Sequence, residues 1–171
     1  MVKDKITEDN LEIREMQEED LDRIREIELL SFNSPWSKES FIYELFQNRL
    51  ARYIVMEQGE EIVAYMGMWF IHQDIHITNF AVAPEYRKLG FGRRLLNFIV
   101  FFAKTKGFKY ITLEVRRSNE IAQNLYQGLG FKVIGVRPSY YRDNQEDAIL
   151  MQKRISRGVF DDSEQDQNTG N

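Results

Sequence analysis

Leu11 and Ile13 alternate with Glu12 and Arg14, a period of two that predicts a half-buried strand over residues 11–16. The period then changes. Leu21, Ile24, Ile27, Leu30 and Phe32 recur at helical spacing behind an acidic start, so residues 18–32 read as a helix that Asn33-Ser34-Pro35 ends. Ser37 can cap a second helix over 38–47, with Phe41, Ile42 and Leu45 on its inner side. Residues 52–57 and 61–71 flank Gln58-Gly59-Glu60 as a hairpin, and 75–82 continues the meander. Beyond a glycine turn, Leu95, Leu96, Ile99, Phe102 and Ala103 mark a long helix closed by Gly107. Residues 110–115 read as a strand. Ser118 or Asn119 caps a helix running to Leu129 and closed by Gly130, and 131–136 and 148–151 are closing strands around a polar loop. The order β-α-α-β-β-β-α-β-α-β-β predicts a mixed α/β (α+β) sheet rather than a doubly wound one. One domain over residues 11–155 is expected, between a flexible N-terminus (1–10) and a disordered tail (156–171).

The glycine turn is the stretch richest in chemistry. Arg87-Lys88-Leu89-Gly90-Phe91-Gly92 is followed at once by Arg93 and Arg94, between the apolar run 77–82 and the long helix. A glycine turn at a helix start presents backbone N–H groups that no helical carbonyl can satisfy, and four cationic side chains surround it. Such a site suits a phosphate or pyrophosphate. A P-loop is excluded, because Gly92 is followed by Arg93-Arg94 and not by Lys-Ser/Thr. A dinucleotide fingerprint is excluded, because Leu95 stands where its third glycine belongs. The pattern that remains is Gln/Arg-x-x-Gly-x-Gly/Ala, filled by Arg87, Gly90 and Gly92.

Composition narrows the chemistry. The chain of 171 residues contains no cysteine, which removes disulfides, thiolate metal sites and a cysteine nucleophile. His72 and His76 flank a turn at Gln73-Asp74 between strand-like runs and not a helix face, so no metal site is expected. The net charge of −4 resides in the tail, in Asp161, Asp162, Glu164 and Asp166; elsewhere acids and bases balance. A neutral body argues against direct nucleic-acid binding, which needs a basic face. No apolar run approaches the ~20 residues of a membrane span. The polar start of the chain is unlike a signal peptide, so a cytoplasmic location is the expectation.

With these residues in view, the chain resembles the GNAT family of acetyl-CoA-dependent N-acetyltransferases over about residues 11–154. The strand order, the helix holding Asn119 and Tyr126, and the closing Gly130-Phe131 support the likeness. Within the family, several segments resemble the bacterial ribosomal-protein-alanine N-acetyltransferase (RimI) type. These are Asn33-Ser34-Pro35-Trp36-Ser37, Asn79-Phe80-Ala81-Val82, Leu113-Glu114-Val115-Arg116, Tyr140-Tyr141 and Glu146-Asp147-Ala148. Archaeal protein N-terminal acetyltransferases share several of these motifs; the Pro-Trp element leans toward the bacterial type. The resemblance implies a GNAT fold, about seven mixed strands flanked by about four helices and splayed at the acetyl-CoA site. It implies direct acetyl transfer, in a ternary complex, to the N-terminal alanine of the eighteenth small-subunit ribosomal protein, with no metal. The expected protein is a monomer or weak homodimer whose partner is a peptide N-terminus, not a membrane. A GNAT acting on other N-termini, lysine side chains or a small amine is the alternative reading, and a non-catalytic acetyl-CoA-binding module a second.

The resemblance also assigns residues. Glu114 is the implied base and Tyr126 the implied acid. Read from residues alone, a surface carboxylate paired with Arg116 and a core tyrosine are the favoured readings, and the resemblance reverses them. Phe80, Ala81 and Val82 are expected to bond the acetyl-pantetheine arm through the main chain, and Arg87, Lys88, Leu89, Gly90, Phe91, Gly92 and Arg93 to wrap the pyrophosphate. Asn119 is expected to bond pantetheine, or serves as a plain helix cap. Trp36, Tyr140 and Tyr141 are the implied peptide-binding residues; a core tryptophan and two exposed loop aromatics are the alternatives.

Overall fold

The computed structural model describes residues 10–155. The expected N-terminal segment, apart from Asn10, and the acidic tail lie outside the described residues. Seven strands form one sheet in the order β1-β2-β3-β4-β5-β7-β6. These are β1 (Leu11–Glu15), β2 (Ala51–Gln58), β3 (Glu61–Ile71), β4 (Asp74–Val82), β5 (Tyr110–Arg116), β6 (Lys132–Tyr141) and β7 (Glu146–Arg154). Neighbours are antiparallel except β4 and β5, which run parallel. Helices α1 (Leu21–Ser31) and α2 (Lys38–Phe46) cover one face, and α3 (Phe91–Thr105) and α4 (Glu120–Gln127) the other. This is the mixed α/β architecture expected from the pattern.

Two cores result. Leu95, Leu96 and Ile99 of α3 pack on Ile75, Ile77, Ile111 and Leu113. Leu21, Ile24 and Ile27 of α1 pack with Phe41 on Tyr53, Val55 and Tyr65. The inner faces repeat every three or four residues in the helices and every two in the strands, so periodicity alone located most elements. Gly107, at φ +76°, ends α3 as the helical period indicates: Phe108 N bonds Ala103 O at 2.9 Å and Gly107 N bonds Lys104 O at 3.3 Å.

Two boundaries differ from the pattern. The acidic start 18–20 is a separate 3₁₀ turn, because the Asp20 carboxylate is drawn to the Gln17 N–H at 2.7 Å and the Arg14 guanidinium at 2.7 and 2.8 Å. The polar loop near the C-terminus is also shorter than expected, because β6 runs on through Tyr141, which pairs with Glu146. Gly135, Pro138 and a bulge at Ser139 (φ +50°) hide the alternation there; the Ser139 N–H bonds the Asp147 carboxylate at 3.0 Å instead of a backbone partner. Tyr140 and Tyr141 are therefore strand residues, not loop residues.

One irregularity shapes the molecule. Gly67 of β3 opposes Asn79 of β4, but its neighbour Met68 opposes Ile77, so Thr78 is an extra residue. The bulge turns the strand over: Ile75 and Ile77 face α3, then Phe80 and Val82 do, while Ala81 faces α1. Bulges bend and twist a strand, and the β4–β5 ladder ends where this one begins, at Ile77↔Leu113. Beyond that pair the strands part. Gly67 is required there by close approach: a methyl group on it would lie 2.2 Å from Cε1 of the buried Tyr53 ring.

Candidate active site

The parted strands open two connected hollows. The smaller, about 540 Å³, runs from Phe80–Val82 over the glycine turn to α4. The larger, about 870 Å³, lies between the start of the α1–α2 loop, the free edges of β4 and β5, and the end of β6. Ser31, Phe32, Phe80, Asn119 and Tyr126 line both.

The smaller hollow is built by local sequence. Gly90 caps α3 at φ +89°, a conformation that favours glycine, and Arg94 N is the first amide to bond back to it, at 3.0 Å. The N–H groups of Phe91, Gly92 and Arg93 thus precede the helix ladder. A methyl group on Gly92 would sit 3.4 Å from both Leu125 and Phe80, so its absence keeps the groove open. Ala83 N bonds Val63 O, and strand alternation then turns the backbone groups of Phe80 and Val82 toward the gap and those of Ala81 toward β3. Arg87 borders the groove, but its side chain braces the turn, donating to Val82 O at 3.0 Å and Ser31 Oγ at 2.8 Å. Lys88 and Arg93 also border it. Leu89, 39 % exposed, is not among its lining residues. Asn119 Oδ1 caps α4 by accepting the Ala122 N–H at 3.1 Å, leaving its amide protons to serve both hollows.

Glu114 and Tyr126 both line the larger hollow, from opposite faces of the sheet. Ile111, Leu113 and Val115 fill the core beneath α3, so Glu114 projects from the other face of β5. Its carboxylate is 6 % exposed and pairs with His76 Nε2 at 3.0 Å and Arg137 Nη2 at 3.2 Å, not with Arg116. Burial pushes its pKa up, but the His76 hydrogen bond and the fields of His76 and Arg137 outweigh this and hold it below the ordinary range. Tyr126 is buried against Phe131, and burial pushes its hydroxyl well above the usual tyrosine range. At neutrality Tyr126 therefore carries its proton and Glu114 is ionised.

The outer wall of the larger hollow is aromatic and cationic. Tyr140 and Tyr141 stand edge to face at 5.2 Å, with Arg116 3.9 Å over the Tyr141 ring. Burial raises the Tyr141 hydroxyl to about 12. Trp36 lines the facing side and packs 5.7 Å from Phe41, so it is both core and wall. Nothing in the sequence pattern singles out Arg137 or Glu28, and His76 stands beside His72, its neighbour in sequence, with no sign of its partner. Its partners, Glu114 and Thr112 (Nδ1···Oγ1 3.1 Å), lie across a parallel strand pair. The one available signal was an unexplained histidine within an apolar β-run.

The splayed mixed sheet, the glycine turn, and a carboxylate and a tyrosine beside the gap are features that acetyltransferases share. The chain belongs to the GNAT family: the family model for "Acetyltransferase (GNAT) family" matches residues 21–131. A Bacillus subtilis (strain 168) protein named "Putative ribosomal protein bS18-alanine N-acetyltransferase" is 44 % identical over 139 residues, covering 81 % of this chain and 92 % of that one. The ribosomal protein bS18-alanine N-acetyltransferase of Escherichia coli (strain K12) is 32 % identical over 148 residues, covering 84 % and 97 %. A crystal structure of the ribosomal-protein-S18-alanine N-acetyltransferase from Escherichia coli superposes with a TM-score of 0.79 at 30 % identity, covering 88 % of this chain and 97 % of that one. The chain is therefore a RimI-like N-acetyltransferase. Among the described residues no helix is long and apolar enough to cross a membrane.

Proposed function

We propose that this enzyme transfers acetyl from acetyl-CoA to the α-amino group of the N-terminal alanine of ribosomal protein bS18, directly and in a ternary complex. One observation carries the reading: Glu114 and Tyr126 border the larger hollow, and Tyr126 also borders the groove. The bS18 acceptor named for relatives that span most of the chain supports this acceptor.

The smaller hollow fits a pyrophosphate-bearing pantetheine. Its turn combines Gly90, Gly92 and the leading amides of α3 with Lys88 and Arg93, and Phe80 and Val82 offer strand-edge amides to an extended arm. Asn119 would bond the arm's amides. Bound there, acetyl-CoA supplies an acyl carbon activated as a thioester.

A peptide α-ammonium has a pKa of about 7.7–8.0, so it must lose a proton before it can attack. Glu114 accepts that proton, directly or through a water, and His76 and Arg137 keep the carboxylate oriented and ionised. The outward amides of Phe80 and Val82 are placed to steady charge on the acetyl oxygen. As the C–N bond forms and the C–S bond breaks, Tyr126 donates its proton to the departing sulfur; the second proton shed by the acetylated nitrogen returns to Tyr126 through solvent, and Glu114 releases the first to bulk water. Trp36, Tyr140 and Tyr141 hold the first residues of the peptide.

The test offers acetyl-CoA with a peptide carrying the bS18 N-terminus, the same peptide N-terminally blocked, and a polyamine. Acetylation of the free N-terminus alone is expected. Turnover of the blocked peptide or the polyamine in its place would overturn the acceptor.

A further inference from the structure

Glu28 is a fully buried carboxylate in the middle of α1, remote from the acid–base pair in sequence. Its Oε2 accepts the Trp36 backbone N–H at 2.7 Å. Its Oε1 accepts the Tyr65 hydroxyl of β3, and that hydroxyl also lies 3.1 Å from Asn79 Oδ1 at the β4 bulge. Nearly one turn earlier on α1, Arg25 donates to the Trp36 carbonyl. Both backbone groups of one loop residue are thus held by side chains of one helix.

Trp36 belongs to the short segment joining α1 to α2, where no ladder fixes the backbone. Its ring faces the larger hollow, which Glu28 and Asn79 also line. An ionisable group this buried is costly, and the cost is met only if its bonds hold something in place. The bonds here connect α1, β3, the bulge that opens the site, and the tryptophan wall.

We propose that Glu28 is a positioning residue: with Tyr65 and Arg25 it sets the Trp36 wall of the acceptor cavity and so governs acceptor fit. This rests on the larger hollow being the acceptor side. The device predicts a split. The acceptor is read by the wall; acetyl-CoA is held across the gap by the glycine turn, which none of these bonds touch.

The test measures KM for both substrates, and kcat, in Glu28→Gln and Tyr65→Phe. Loss of a hydrogen bond to a charged group predicts an acceptor KM raised about tenfold in Glu28→Gln, and less in Tyr65→Phe, which leaves the Trp36 bond intact. KM for acetyl-CoA should stay within about twofold. Acrylamide quenching of Trp36 emission, read in a Trp69→Phe background, should rise in Glu28→Gln. An unchanged acceptor KM, or equal increases in both KM values, would overturn the proposal. Should Glu28→Gln not fold, Tyr65→Phe decides it alone, and an acceptor KM equal to the parent's would refute it. If the parent enzyme acetylates a polyamine and not the peptide, the acceptor assignment fails by itself, and the same comparison is run with the polyamine.

Discussion

The two hollows flanking the gap are built in opposite ways. The groove over the glycine turn draws mainly on one stretch, residues 80–93, with the facing side of α4 and with Ser31 and Phe32 at the end of α1. The larger cavity draws on the α1–α2 segment, the β4 bulge, the end of β5, Tyr126 and the β6–β7 hairpin. In the proposed role the first would hold its ligand with backbone amides at a helix start, a feature set largely within the turn. The second needs side chains from distant segments at set distances, each held by others: Glu114 by His76 and Arg137, Trp36 by Glu28 and Arg25. Under the proposed roles, the first design suits a common cofactor, and the second can change acceptor without touching the turn.

The largest expected effect tests the chemistry on the cavity side. Glu114→Gln should lower kcat/KM by about 10²–10⁴-fold while acetyl-CoA affinity is retained. Equal loss of both would mean that Glu114 supports the fold of the gap and not proton transfer. The counterpart on the groove side is Gly92→Val, whose methyls would press on Leu125 and Phe80. It should raise KM for acetyl-CoA about tenfold, ~1.4 kcal/mol, with little change in acceptor KM. A matching rise in acceptor KM would show that the two hollows are not independent.

A smaller effect appears in pH profiles. Glu114 lies below the ordinary carboxylate range and is ionised at neutrality. The rise of kcat/KM around pH 7–8 should therefore follow the substrate amine, at about 7.7–8.0, and only an acid limb should report Glu114. His76→Ala removes the hydrogen bond that lowers the carboxyl, so that acid limb should move to higher pH. A limb that stays in place would separate His76 from the base.

The smallest effect concerns stability. Glu146 is pulled down to about 2, chiefly by bonds from Ser118, whose N–H it accepts at 2.7 Å, with Asn144 and Arg116 contributing. Because its folded pKa is depressed, its contribution is full above the ordinary carboxylate value of about 4.3 and is lost as pH falls from there through about 2. Glu146→Gln should flatten that part of the melting-temperature profile. An unchanged acid slope would assign the loss to other carboxylates.

Most elements were legible in the sequence because each buries one face and repeats with its own period. The turn was legible because Gly90 answers to local backbone geometry, whereas Gly92 answers to the approach of Leu125 and Phe80. Glu114 and Tyr126 stood out only by likeness to a family, since an acid on a strand and a tyrosine on a helix each have an ordinary explanation. The β6 extension was hidden because Gly135, Pro138 and the bulge at Ser139 break its alternation.

The sequence by itself determined the mixed sheet, the order of its elements and a helix start shaped for an anion, since periodicity, caps and glycine geometry act over a few residues. Tertiary structure decided where the sheet opens, because the Thr78 bulge exists only as a mismatch of register against β3. It also decided that His76 faces Glu114, that Arg116 serves Tyr141 and the hairpin acids, and that a buried glutamate holds the tryptophan wall. Apart from Glu28 and Trp36, eight residues apart, these are contacts between segments tens of residues apart. No local rule reads them, because their energies depend on distances that exist only after the chain has closed.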